Sequence, residues 1–148
     1  MALLLHVFIR HAYTIKGTRG ASMLPTMATD GEGVVINKKY RRGRYIEVGD
    51  LVSVRHLFEP EEAAIKRVVG MPGDFVLRDT PGKGEGLMVQ VPEGHCWLAG
   101  DNQSASRDSR LFGPFPLAMI KGKVVARVVP LSAFGRMENT LKDAEVLD

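Results

Sequence analysis

Apolar residues in this chain fall in short runs separated by glycine, proline and acidic residues, the pattern of strands joined by tight turns. Runs at 34–37, 51–56, 63–70, 75–78, 87–91, 95–99 and 122–129 are predicted strands. Gly49-Asp50, Gly73-Asp74 and Gly100-Asp101 punctuate them, each suited to a turn at a strand boundary. Residues 80–86 read as a hairpin or loop, and 18–30, rich in glycine, serine, threonine and proline, as an exposed loop. Short helices are expected at 116–120 and after Ser132. The segment 138–148 is acidic and polar, and is expected to be loosely held. The pattern predicts a mainly β fold, an antiparallel β-barrel or sandwich with short helices.

The lead is different. Residues 2–9 are apolar and the run stops at Arg10. A spanning helix needs about 20 apolar residues, and the basic n-region and small-residue cleavage site of a signal peptide are missing. The lead reads as the remnant of a longer anchor, as an interfacial segment, or as a first strand or helix. The expected division is an apolar membrane-proximal segment over 1–16, a main domain over 17–130 and a tail over 131–148.

Composition narrows the classes. The chain has 148 residues, 45% hydrophobic and 25% charged, so one domain with a sizeable core is expected. Glycine (16) and proline (8) are plentiful, which favours strands over a helix bundle. The formal net charge is +3, and much of the excess lies in Lys38-Lys39-Tyr40-Arg41-Arg42-Gly43-Arg44. That run reads first as a solvated loop, with anionic lipid or nucleic acid as the alternative contacts. No module that reads bases is visible, so no nucleic-acid partner is expected. Cys96 is the single cysteine, which rules out an intramolecular disulfide and a cysteine-built zinc cluster; it reads as a small core residue. The four histidines lack metal-ligand spacing. No metal or cofactor is expected.

Candidate chemistry lies in three stretches. In Ala63-Ala64-Ile65-Lys66-Arg67-Val68-Val69-Gly70, strand alternation puts Lys66 on the face of Ala64 and Val68, and Arg67 on the face of Ile65 and Val69. A lysine among small apolar neighbours loses hydration, its pKa falls, and a neutral lysine can serve as a general base. The plain alternative is a structural lysine that snorkels to water. In Gly20-Ala21-Ser22-Met23-Leu24-Pro25-Thr26-Met27, Ser22 follows two small residues that let a substrate backbone approach. The turn could aim its hydroxyl outward and its N–H at a developing oxyanion; alone, the stretch would be a plain turn. The third stretch, 100–114, is polar between apolar strands. There Ser106 could orient a lysine amine, Asp108 could pair with Arg110, and Asp101 could pair with Arg67.

Taken in order, the stretches resemble the type I signal peptidase family, Ser/Lys endopeptidases that remove targeting peptides at membranes. Ser22-Met23-Leu24-Pro25-Thr26 matches its nucleophile box, Lys66-Arg67-Val68-Val69-Gly70-Met71-Pro72-Gly73-Asp74 its lysine box, and Gly49-Asp50-Leu51-Val52 an intermediate one. Gly100-Asp101-Asn102, Ser106, Asp108-Ser109-Arg110 and Gly113-Pro114 match its last box. The resemblance implies Ser22 and Lys66 as catalytic residues and Ser106 as the residue that orients the lysine. Arg67, Asp101, Asp108 and Arg110 would be supports, and Met23, Met27 and Ile65 substrate-pocket walls. Gly20 replaces a serine that helps line the oxyanion hole in some bacterial members, which leaves that hole to backbone N–H groups. Ala21 stands where proline or glycine is common.

Within the family, Gly94-His95-Cys96-Trp97-Leu98-Ala99-Gly100-Asp101-Asn102 and Arg110 are most similar to the mitochondrial inner membrane branch, its subunit 1 type. The small size fits, since 74–94 leaves room only for a hairpin. This resemblance implies an inner-membrane location facing the intermembrane space, precursors with N-terminal targeting peptides as substrates, and a homologous second peptidase subunit as partner. The competing readings are a bacterial-type signal peptidase I, a self-cleaving repressor-like Ser/Lys protease, and a catalytically dead β-domain that binds lipid or a partner subunit. The repressor class carries a DNA-binding domain and an internal cleavage site, and neither is visible here.

Overall fold

The computed structural model describes residues 1–59, 61–139 and 141. Among these, eight strands form one antiparallel sheet that curls into a half-barrel. The chain begins with helix α1 (Ala2–Ala12), then β1 (Tyr13–Arg19), β2 (Asp30–Asn37), β3 (Leu51–Arg55) and β4 (Ala63–Gly70). A hairpin of β5 (Phe75–Leu77) and β6 (Met88–Gln90) stands apart as its own two-stranded sheet, in the segment where only a hairpin fits. Then come β7 (His95–Ala99), a single helical turn α2 (Ser109–Phe112), β8 (Phe115–Pro116), β9 (Ile120–Val129) and β10 (Gly135–Arg136). The sheet order is β1-β2-β9-β3-β4-β7-β8, with β10 also on β9.

Alternation along the strands builds the core. In β7, Cys96 and Leu98 enter a cluster with Val52, Val54, Val68, Phe115 and Ile120, while Trp97 points the other way onto Val76 and Val91 under the hairpin. In β3, Val52 and Val54 join the first cluster and Leu51 joins a second, made of Met23, Met27, Val34, Ile36 and Val124. β4 serves all three: Ala64 and Val68 pack on the first, Ile65 on the second and Val69 on the third. This strand is therefore covered on both faces, and that position is what desolvates Lys66.

The structure differs from the local sequence readings in several places. The stretch 18–30 is not loop throughout: β1 runs to Arg19 and β2 starts at Asp30. β1 is an edge strand in which Lys16, Gly17 and Arg19 interrupt the apolar residues and no residue is buried, so its sequence gives only a weak strand signal. The lead is helix followed by strand, and the boundary expected at 16/17 falls inside β1. No residue of α1 is buried, and none of the described helices is long and apolar enough to cross a membrane. Residues 117–119 form one 3-10 turn, and the described part of the tail shows a 3-10 turn at Leu131–Ala133 and the short β10 rather than a longer helix. The acidic tail expected over 138–148 lies for the most part outside the described residues, at 140 and 142–148.

Candidate active site

The site forms where the 3-10 turn Ala21–Met23 meets β4 and the loop after β7. Gly20, just before the turn, has φ +93°, a conformation that L side chains rarely adopt, and it swings the chain from β1 into the turn. Met23 and Met27 anchor the segment in the second core cluster. The chain on either side of Ser22 is thereby fixed, and Ser22 faces Lys66 of β4.

Lys66 is 7% exposed. Its Nζ donates to Ser22 Oγ at 2.8 Å. Burial holds its pKa below the ordinary lysine value; the Asp108 carboxylate works against that shift and the Arg110 guanidinium works with it. Desolvation is the largest of the three causes, so the ammonium form is less favoured here than in a solvated lysine.

The loop after β7 locks the turn in place. Asn102 donates from its backbone N–H to the Ser22 carbonyl at 2.9 Å and from its side chain to the Ala21 carbonyl at 3.0 Å. At Gly100, an added Cβ would sit 2.3 Å from Ser106 Oγ and 2.5 Å from the Ser22 carbonyl oxygen, so only glycine lets the loop and the turn approach this closely. Asn102 lies in the matched last box, yet its role is not legible in the sequence: a lone amide between Asp101 and Gln103 carries no signal that it closes a turn 81 residues away.

Two ion pairs brace this arrangement. Arg67, 4% exposed, clasps Asp101 with Nε and Nη2 at 2.8 and 2.7 Å and donates through Nη1 to the Gly49 carbonyl at 2.8 Å. Thr26 Oγ1 donates to the same carboxylate, which ties the Ser22 segment to β4. Burial pushes the Asp101 pKa up, but the bonds from Arg67 and Thr26 outweigh it and the net direction is down. Asp108 is fully buried and accepts from Gly100 N at 2.9 Å, Ser106 Oγ at 2.7 Å, and Arg110 Nε and Nη2 at 2.9 and 2.7 Å. Burial again works upward and these donors prevail, which keeps the Asp108 pKa below its usual range. Ser106 donates its hydroxyl proton to Asp108 at 2.7 Å, and among the described residues the Lys66 amine is bonded to Ser22 rather than to Ser106.

Arg127 was not singled out from the sequence. It donates to the Thr26 carbonyl and stands 3.3 Å from Glu32, without the alignment of a hydrogen bond. Cys96 is buried and its thiol is pushed up to about 12 by desolvation, as suits an inert core residue. Among the described residues, no three His, Cys, Asp or Glu side chains are grouped to hold a metal.

A groove of about 560 Å³ opens over Ser22 and Lys66. One wall is the end of β1, from Lys16 to Gly20; the other is Ala63 to Ile65 of β4. Met23, Met27 and Ile65 line it between them. β1 is a sheet edge, and β4 pairs with β7 only from Arg67 onward. Both walls therefore carry free backbone donors and acceptors, the form that receives an added strand.

Comparison with known proteins places the chain in a family. The signal peptidase, peptidase S26 family model matches residues 1–80 and 76–129. The chain belongs to the signal peptidase S26 family. It is 37% identical over 147 residues to the mitochondrial inner membrane protease subunit 1 of Schizosaccharomyces pombe, which covers 99% of this chain and 91% of the relative. The subunit 1 of Saccharomyces cerevisiae is 39% identical over 134 residues, 82% of this chain and 70% of the relative. The subunit 2 of Danio rerio is 38% identical over 136 residues, 89% of this chain and 72% of the relative. A crystal structure of a signal peptidase I from Enterococcus faecalis aligns with TM-score 0.45 and 19% identity over 55% of this chain and 97% of that one. This S26 family member is a peptidase of the mitochondrial inner membrane.

Proposed function

We propose that this peptidase is a serine endopeptidase that removes N-terminal targeting peptides from precursors delivered to the intermembrane space, with Ser22 as nucleophile and Lys66 as general base. The observation that carries this reading is the 2.8 Å contact between the buried Lys66 amine and the Ser22 hydroxyl. A serine hydroxyl is a weak nucleophile without a base, and this lysine is the base its burial makes available.

An extended precursor segment pairs with the free edges of β1 and β4. Its small side chains enter pockets walled by Met23, Met27 and Ile65. Neutral Lys66 takes the Ser22 proton as Oγ bonds to the scissile carbonyl carbon, and the oxyanion is held by backbone N–H donors that include Ser22's own. Lys66 returns the proton to the amide nitrogen as the C–N bond breaks, leaving an acyl ester on Ser22. Lys66 then takes a proton from water, the hydroxide attacks the ester, and the proton goes back to Ser22 Oγ. Asp108, fixed by Arg110 and Ser106, holds the loop that carries Asn102, and Arg67 with Asp101 holds the turn from below. Ser106 thus acts on Lys66 through Asp108.

The apolar lead and the inner-membrane location support a catalytic domain that faces the intermembrane space. The subunit names of its relatives support assembly with a second, homologous peptidase subunit.

The test is cleavage of a precursor peptide by purified variants. Ser22→Ala and Lys66→Ala each abolish turnover while the thermal transition survives. Turnover retained by Lys66→Ala would remove the dyad.

A further inference from the structure

The basic run of the sequence has no part in the site above, yet it builds a second cavity. This cavity, about 500 Å³, is walled by Lys38, Arg41, Arg42, Arg55 and Lys121, with Met119 and Ile120 between them and no acidic residue in its lining. The ion pairs among the described residues involve Arg67, Arg78, Arg110, Lys123 and Arg127, none of which lines it. Neighbouring cations do find partners. Lys123 pairs with Asp50 at 2.9 Å, and Lys39 turns away to sit 5.3 Å from the Tyr45 ring centroid. Five like charges on one cavity repel each other, a cost that a bound anion would offset. Arg42 also holds φ +59°, an uncommon conformation for a bulky side chain, and so places two adjacent arginines on the cavity.

The cavity lies beside the apolar helix α1. Lys38 Nζ donates to the Arg10 carbonyl at the end of α1, at 3.1 Å. Leu3, Leu4, Leu5 and Phe8 of that helix are all exposed. An apolar helix beside clustered cations is the arrangement that seats in the headgroup region of an anionic bilayer. Arginine forks match phosphate oxygens. The lining has no aromatic ring on which a nucleic-acid base could stack.

We propose that this basic cavity binds the phosphate of an anionic phospholipid headgroup. Arg55 immediately precedes His56, which lines the substrate groove, so a lipid held here fixes the groove's end at the membrane surface.

The test is flotation of the full chain with phosphatidylcholine vesicles, with and without phosphatidylglycerol. The chain is expected to bind only the anionic vesicles. Near an anionic surface each basic residue contributes about fivefold in affinity, so Arg42→Gln with Lys121→Gln weakens binding roughly 25-fold. Lys83→Gln with Arg136→Gln removes the same charge outside the cavity and leaves binding unchanged. A second pair, Arg41→Gln with Arg55→Gln, repeats the loss if the first pair disturbs the fold. The proposal is overturned by equal loss in the control pair, by no loss in either cavity pair, or by equal binding to neutral vesicles. Two soluble probes separate the sources: inorganic phosphate or a single-stranded oligonucleotide that binds the cavity when anionic vesicles do not would also overturn it.

Discussion

The backbone N–H of Asn102 donates to the carbonyl oxygen of Ser22 at 2.9 Å, so a loop 80 residues downstream sets the orientation of the serine turn. Its side-chain amide closes a second bond to Ala21, at 3.0 Å. Asn102→Ala deletes the second bond and spares the first. We expect a stability loss of about 1 kcal/mol and a kcat reduced by about tenfold with KM little changed, because a misaligned nucleophile is felt in the transition state more than in binding. Steady-state kinetics on a precursor peptide measure the split; a rise in KM alone would place Asn102 in substrate binding instead.

Gly100→Ala tests the same junction by steric means. The new methyl would meet the Ser22 carbonyl at 2.5 Å, and backbone cannot yield as a side-chain tip does. Cleavage is expected to fall by about a hundredfold. The Gly20→Ala variant, whose added Cβ meets nothing within 4 Å but must hold φ +93°, is expected to lose stability by about 1 kcal/mol. Full activity in Gly100→Ala would mean that the loop and turn are not held at this distance in solution.

Arg67 and Asp101 give a pH signature. The Asp101 pKa is lowered in the folded chain, so the stability it contributes is full above the unfolded value of about 3.9 and is lost as pH falls through the lower folded value. Asp101→Asn strands the buried Arg67 charge, with a cost of about 3 kcal/mol at neutral pH, or roughly 10 °C in Tm. Thermal melts from neutral to strongly acid pH should show the wild-type and Asp101→Asn curves converging at the acid end. A constant gap would assign the loss to packing rather than charge.

Most strands were legible because they are covered on at least one face and rich in β-branched residues; 63–70 and 95–99 fall where the apolar pattern puts them. β1 was not, because this edge strand, with Tyr13 and Ile15 among threonine, lysine, glycine and arginine, has no buried stripe to display. The candidate site was legible as residue types: a serine after small residues, a lysine in an apolar strand and a polar loop. What brings them together was not, since Ser22 and Lys66 lie 44 residues apart and their contact is a product of sheet closure. The destination of the Ser106 hydroxyl proton could not be read either, because only the fold buries Asp108 and brings its carboxylate to 2.7 Å from that hydroxyl.

Lys66→Met should be more stable than the wild type near neutral pH. The folded pKa of Lys66 is lowered, so between that value and about 10.4 the unfolded chain binds more protons than the folded one and wild-type stability rises with pH. Below the folded pKa the buried lysine carries its full penalty, which methionine lacks. Melts from neutral to alkaline pH should show the variant ahead at neutral pH, by about 3 °C for each kcal/mol relieved, with the gap closing as pH approaches the unfolded value. A variant that is less stable throughout would show that the lysine's contacts outweigh its desolvation.

The central claim is that Lys66 is a proton acceptor beside Ser22. Its most direct measurement is the NMR titration of the Lys66 side chain, by carbon label at Cε, set against the pH dependence of kcat/KM. A Lys66 pKa well below that of an ordinary lysine is expected, with activity rising on the same midpoint as the amine loses its proton. A Lys66 that titrates near about 10.4, with activity already maximal below that pH, would contradict it.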